Sequence, residues 1–217
     1  MTEPLRIDIV SDVVCPWCAV GYYQLKQALE AEGIAADIHW HPFELNPQMG
    51  PEGQDIVEHV AEKYGSTPGD SKRARERLTA AGGEVGFTFR YADDMRIWNT
   101  FRAHRLLHWA EDFGKVHDLK LALLRAYFTD GKTVDDPEVL ADVAADVGLD
   151  RDAAMAVVTS NDFTDEVRAM QHFWISKGIR GVPAMVFDSK HLVTGARGVD
   201  VYAQFLRQLQ AAKEVTA

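Results

Sequence analysis

The first apolar run of the chain, Ile7-Asp8-Ile9-Val10, reads as a short strand. It gives way to Cys18, Tyr22, Leu25 and Leu29, which recur at helical spacing and share one face. Gly33 suits the position just past that helix, where a left-handed residue is favoured. From Ile34 to His41 the pattern alternates, with Ile38 and Trp40 on one side and His39 and His41 on the other. A second strand is therefore predicted, ended by Pro42. Strand, helix and strand make a βαβ unit, whose crossover implies a parallel pair.

The period then changes. Leu45 to Gly53 is a turn-rich loop, and from about Asp55 to Ser176 nearly every segment has helical period. Ile56, Val60 and Tyr64 form one stripe, and Leu119, Ala122, Leu123 and Ala126 another. Asp136 reads as an N-cap with Pro137 at the first helical position. Leu140, Val143, Ala144 and Val147 follow, closed by Gly148. Phe163, Val167, Met170 and Trp174 mark a last long helix, stopped by Gly178. These stripes read as core, and they show no fixed repeat. Strand signals return in Ala184 to Phe187 and His191 to Val193, joined by the turn Asp188-Ser189-Lys190. Tyr202, Phe205, Leu206 and Leu209 give a C-terminal helix.

The two ends of the chain thus supply βαβ and ββα halves around a helical block. The class is α/β, and the order is that of a thioredoxin-like fold with a large helical insertion. Residues 1–45 and 178–217 would form the split thioredoxin-like domain, and 46–177 the helical insertion domain.

Composition narrows the function. With 47% hydrophobic and 26% charged residues, the chain can bury a sizeable core. Its formal net charge of −10 argues against nucleic acid as a partner. The basic run Lys72 to Arg77 contains Glu76 and no aromatic residue, and reads as a solvated helix face. No apolar run is long enough to span a bilayer, so no membrane partner is expected. The segment Met1 to Arg6 has no basic n-region or apolar h-region, so a cytoplasmic location is expected.

The chemistry centres on the chain's two cysteines, Cys15 and Cys18, at the strand-to-helix junction. Pro16 suits the first helical turn, where its missing N–H costs nothing. Cys15 would lie at the helix N-terminus, where unpaired N–H groups favour thiolate over thiol. Cys18, one turn on, could attack a mixed disulfide formed at Cys15. Thiol–disulfide exchange needs that pairing of an exposed, acidic thiol with a resolving one. Zinc is the competing reading, with His39 and His41 completing the set. Their spacing is too short for the usual pattern, and no metal is expected. Two buried cysteines acting as small hydrophobes are the other alternative. Asp12 could relay protons to Cys18 or serve as electrostatic capping.

Ser11-Asp12-Val13-Val14-Cys15-Pro16-Trp17-Cys18 resembles the active-site start of DsbA-family oxidoreductases, and of their FrnE-like branch in particular. The resemblance covers nearly the whole chain. Phe43 to Pro47 is similar to the segment after the second strand in that branch. Asn99-Thr100 and Ala103 to Leu106 resemble the start of its main insertion helix, and Gly195-Ala196 the end of the final hairpin. Gly181-Val182-Pro183 resembles the loop that carries the fold's cis-proline. The resemblance implies Cys15 as nucleophile and Cys18 as resolving thiol, forming a redox-active disulfide. Pro16 and Trp17 would belong to the active site, with Trp17 tuning access and redox potential, and Val182 and Pro183 would hold substrate. Asn99 and His104 would lie on a groove-facing helix.

No bound cofactor is implied. Glutathione enters as a co-substrate, and the partner would be a disulfide- or thiol-bearing protein or small molecule. A monomer or a homodimer fits equally well. In a reducing cytosol, reductase, isomerase or redox-sensing activity fits better than net oxidation. One alternative is a glutathione-dependent isomerase or transferase of the kappa or hydroxychromene-carboxylate isomerase type, where a hydroxyl commonly replaces the first cysteine. Another is a non-catalytic thioredoxin-like adaptor.

Overall fold

A computed structural model describes residues 3–216. β1 (Leu5–Ser11), α1 (Pro16–Glu32) and β2 (Ala36–Pro42) form the βαβ unit. There follow β3 (Gln54–Asp55), α2 (Ile56–Tyr64), α3 (Pro68–Glu84) and β4 (Arg96–Ile97). Then come α4 (Phe101–Trp109), a 3-10 turn over Ala110–Phe113, α5 (Val116–Phe128) and α6 (Pro137–Asp146). α7 (Arg151–Thr159) and α8 (Thr164–Ser176) close the helical block. β5 (Ala184–Phe187), β6 (His191–Thr194) and α9 (Val199–Thr216) end the chain.

The main sheet has four strands in the order β2-β1-β5-β6. β1 runs parallel to β2, and β5 is antiparallel to both β1 and β6. β1 is covered on both faces, which is why its sequence is an apolar run rather than an alternation. The β5–β6 turn puts Asp188 and Ser189 at φ 49 and 56. Positive φ at both central residues matches the right-handed twist of a hairpin.

One apolar cluster joins this sheet to α1 and α9 through Ile7, Ile9, Leu25, Phe187, Tyr202 and Leu206. Each such side chain contributes roughly 1.5–3 kcal/mol when fully buried. A larger cluster fills the helical block, and Val13, Val14, Ala19 and Val20 belong to it. The segment around the cysteines is therefore packed from both sides. Arg105 ties α4 to the end of α7. Its Nη1 donates to the carbonyls of Val157, Ser160 and Asp162 at 3.1, 2.8 and 3.1 Å. These carbonyls would otherwise be orphaned where the helix stops.

The helix starts follow the expected chemistry. Asp136 caps α6 through the Glu138 amide, with Pro137 in the first turn. Asp55 and Asp150 cap α2 and α7, and Thr67 with Asp70 makes a capping box for α3. Each is worth about 1 kcal/mol. Three expectations need correction. The second strand begins at Ala36 rather than Ile34, because Ile34 still donates its amide to Leu29 in the helix terminus. The block between the sheet halves contains a two-stranded ribbon, β3–β4, too short to give a periodic signal. Tyr64, read as core, is 64% exposed, because α2 has its apolar stripe at the rim of a cavity.

Candidate active site

β1 ends at Ser11, and three residues carry the chain to Cys15, the N-cap residue of α1. Cys15 has extended backbone angles, φ −91 and ψ 110, and Pro16 opens the helix. No side chain caps this helix, and its first turn has no acidic residue. The first-turn amides therefore have no side-chain acceptor, and that of Cys18 donates to the Cys15 carbonyl at 3.1 Å. Cys15 Sγ lies 3.7 Å from the Val182 carbonyl, to which the thiol donates. The Val182–Pro183 bond is cis. Gly21, on α1, allows this approach: a Cβ there would stand 3.1 Å from Pro183 Cγ. Both cysteines are free thiols.

Cys15 opens onto a cavity of about 380 Å³ between α1, α2 and α3. That volume suits a small ligand. Val60, Leu78 and Phe128 contribute to apolar walls, while His59, Lys63 and Arg75 supply the polar side chains. Trp17, 43% exposed, and Tyr64 flank the mouth. Cys15 itself is only 4% exposed, so its sulfur is reached through this cavity and not from the open surface. The expectation of an exposed thiol is corrected accordingly: Val182 and the helical block cover it.

Cys18 is fully buried on the other side of the helix start. Burial pushes its thiol well above the usual range, and the neighbouring Cys15 adds to the rise. Asp12, His104 and Lys120 are buried behind it. Asp12 Oδ2 accepts from the Leu45 amide at 2.7 Å, and Oδ1 lies 3.4 Å from His104 Nε2. His104 Nε2 donates to the Phe43 carbonyl at 3.0 Å. Burial alone would raise the Asp12 carboxyl, but His104, the Leu45 amide and Lys120 together hold it below its ordinary value. Burial pushes the Lys120 ammonium down to about 8, against the pull of Cys18, Asp12 and Cys15.

The family model of the DSBA-like thioredoxin domain matches residues 6–207. The chain belongs to the DSBA-like thioredoxin domain family. It is 32% identical to SCO1869 of Streptomyces coelicolor, described as a probable DsbA oxidoreductase, with a TM-score of 0.89 over 95% of this chain and 90% of that one. It is 24% identical to the uncharacterized protein YwbO of Bacillus subtilis (strain 168), over 96% of this chain and 99% of that protein. The cytosolic disulfide reductase DsbM of Pseudomonas aeruginosa, solved with GSH, shares the fold at 16% identity and a TM-score of 0.65, covering 95% of this chain and all (100%) of that one.

In this DSBA-like chain, Cys15, Pro16, Trp17 and Val182 meet at one cavity, and Pro183 packs on Gly21 beside it. The other two candidates lie elsewhere. Asn99 Oδ1 accepts from the Phe101 amide at 2.8 Å and its Nδ2 donates to the Met49 carbonyl at 3.2 Å, so it fixes the entry to α4. His104 lines a separate small cavity of about 20 Å³, which Lys120 also lines. Asp12 does not cap α1, because its carboxylate is turned to Leu45 and His104. Lys120 was missed by the sequence reading. Its signal was a single charge inside the apolar run Leu119 to Leu124.

Proposed function

We propose that the protein is a thiol–disulfide oxidoreductase, acting as a reductase or isomerase, with Cys15 as nucleophile and Cys18 as resolving thiol. The observation that carries this reading is the asymmetry of the pair: Cys15 lines the cavity, and Cys18 is sealed behind it. Cys15, as thiolate, attacks one sulfur of a substrate disulfide. The disulfide breaks, and its departing sulfur takes up a proton. Cys18 then attacks the Cys15 sulfur of the mixed disulfide. The second substrate thiol leaves, the Cys15–Cys18 disulfide closes, and two electrons have passed to the substrate. Two glutathione thiols return the pair to the dithiol state and leave as glutathione disulfide.

The substrate is a protein or small molecule bearing a disulfide or thiol. Residues 46–177 act as the roof over the site, and the Val182 backbone and Pro183 hold the substrate beside Cys15. No bound cofactor takes part. We place the chain in the FrnE-like branch, on the residues that resemble it, and in the cytoplasm, where glutathione is available; the fold shared with DsbM, a cytosolic reductase solved with GSH, supports the second of these. The intact cysteine pair favours exchange over a glutathione-dependent isomerase, in which glutathione's own thiol does the chemistry.

The test is an insulin-reduction and scrambled-disulfide assay, run with and without glutathione. Turnover that depends on Cys15 is expected. Activity that survives Cys15→Ser would contradict the reading.

A further inference from the structure

The proposed exchange leaves one task without a residue. A thiol that enters the cavity must lose its proton before its sulfur can attack the disulfide at Cys15, because the thiolate is the nucleophile. The cavity contains one ring able to take that proton. His59, on α2, lines the cavity together with Cys15. Its Nδ1 lies 2.7 Å from Gln54 Oε1, while Gln54 Nε2 donates to Glu62 Oε2 at 2.7 Å. The Glu62 carboxylate can only accept, so it fixes which end of the Gln54 amide is oxygen. Gln54 Oε1 must therefore accept, and His59 Nδ1 carries the hydrogen. The neutral ring then presents Nε2 as a bare acceptor, and Nε2 has no hydrogen-bond partner among the described residues. An anchored ring with one free nitrogen is the arrangement a general base needs.

We propose that His59 is a catalytic acid–base residue of the exchange, taking the proton of an incoming thiol on Nε2 as its sulfur attacks Cys15. The step balances. The S–H bond of the substrate gives its proton to Nε2, and the sulfur electron pair forms the new S–S bond to Cys15. The Cys15–Cys18 bond breaks with its pair on Cys18. The substrate thiol is oxidised and the enzyme disulfide reduced. In reverse, the same nitrogen protonates the thiolate that leaves Cys15. Glu62 and Gln54 are positioning residues.

The surroundings keep the ring neutral and ready. Burial lowers the His59 value, Lys63 lowers it further, and Glu62 opposes them. Lys63 is held by the Leu45 carbonyl and Asn46 Oδ1 at 2.8 and 2.5 Å. From α3, Arg75 also lines the cavity, as do Tyr64 of α2 and Tyr91. From β4, Arg96 is turned to the carbonyls of Glu52 and Gly53. The Asp55 carboxylate is occupied with the α2 cap.

This inference rests on the oxidoreductase reading, and the test separates the two. The oxidised protein is mixed in stopped flow with 2-mercaptoethanol, an alkyl thiol mostly protonated at neutral pH, and with thionitrobenzoate, which is already a thiolate. His59→Gln is expected to slow the alkyl thiol about 10²-fold and leave thionitrobenzoate unchanged. The rate of His59→Gln with the alkyl thiol should follow the thiolate fraction and fall about tenfold per pH unit across the neutral range, where the wild-type rate stays nearly level until His59 is protonated. Wild type that reacts with both thiols, while His59→Gln slows both alike or neither, would overturn the proposal alone. Wild type that reacts with neither would overturn the oxidoreductase reading and this step with it.

Discussion

The space in front of Cys15 and the interior behind Cys18 are built on opposite principles, although one helical turn separates the sulfurs. In front is a cavity of about 380 Å³ with apolar walls and a polar rim. Behind is a closed group of charged side chains, Asp12 and Lys120, with His104 beside them. The front has room for a small ligand. The back leaves no comparable room, but it places a cation near Cys18, which offsets part of the cost of a buried thiolate. Neighbouring residues of one helix start can thus be given different chemistry by what packs against each.

Substitutions that touch one side only should break this comparison most sharply. The largest effect is expected at the sulfurs. Cys15→Ser should abolish exchange, whereas Cys18→Ser should keep the first attack and accumulate a mixed disulfide at Cys15, seen as an added mass on the intact protein. A mixed disulfide on Cys18 in the Cys15→Ser variant would reverse the two regions.

Next in size is the back. Lys120→Met should destabilise the protein by about 1–3 kcal/mol in denaturant unfolding, because Asp12 would keep the Leu45 amide and His104 but lose a buried cation that helps hold it ionised. Removing both charges, in Lys120→Met with Asp12→Asn, should recover most of that loss. If the double variant is no more stable than the single one, the two charges are not compensating each other.

A change in the front should cost access rather than stability. Val60 lines the cavity and is partly buried. Val60→Trp should slow labelling of Cys15 by a bulky maleimide about tenfold, equivalent to about 1.4 kcal/mol. The unfolding midpoint should hardly move. An unchanged labelling rate would mean that Cys15 is reached by another route.

The smallest effect is acid sensitivity at His117, on α5 one turn before Lys120. Trp40 Nε1 donates to His117 Nδ1 at 3.1 Å, so Nε2 holds the hydrogen and donates to Tyr22 Oη at 3.0 Å. Burial lowers the His117 value. The folded ring therefore resists a proton that the unfolded chain accepts below its ordinary value of about 6.5. Its stabilisation is complete above that pH and is lost as pH falls from there through the folded value, with a slope under about 1.4 kcal/mol per unit. His117→Gln should flatten the stability profile between roughly pH 7 and 5. A slope identical to wild type would assign the acid sensitivity to other groups.

Much of the front was legible in the sequence, because its elements carry local signals. The cysteine spacing, Pro16 in the first turn and the Val182-Pro183 step before a strand each need only adjacent residues. The Asp136-Pro137 helix start was legible for the same reason. The back was not, because it is assembled from distant elements: Asp12 follows β1, His104 sits on α4 and Lys120 on α5. The spacing of Lys120 within its helix does not show that it ends beneath Cys18. His59 was hidden similarly, since its tautomer is set by Gln54 on the short ribbon strand that periodicity could not reveal. The exposure of Cys15 was misjudged because its cover, Val182, lies 167 positions away in the chain.

The most direct test of the division between the two sulfurs is timed alkylation of the reduced wild-type protein with iodoacetamide, followed by peptide mass spectrometry. Cys15 is reached through the cavity, and Cys18 is sealed with its thiol held in the protonated form. At neutral pH, Cys15 should be labelled to completion while Cys18 stays unlabelled until the protein is unfolded. Equal labelling of the two cysteines in the folded protein, or labelling of Cys18 first, would contradict the account.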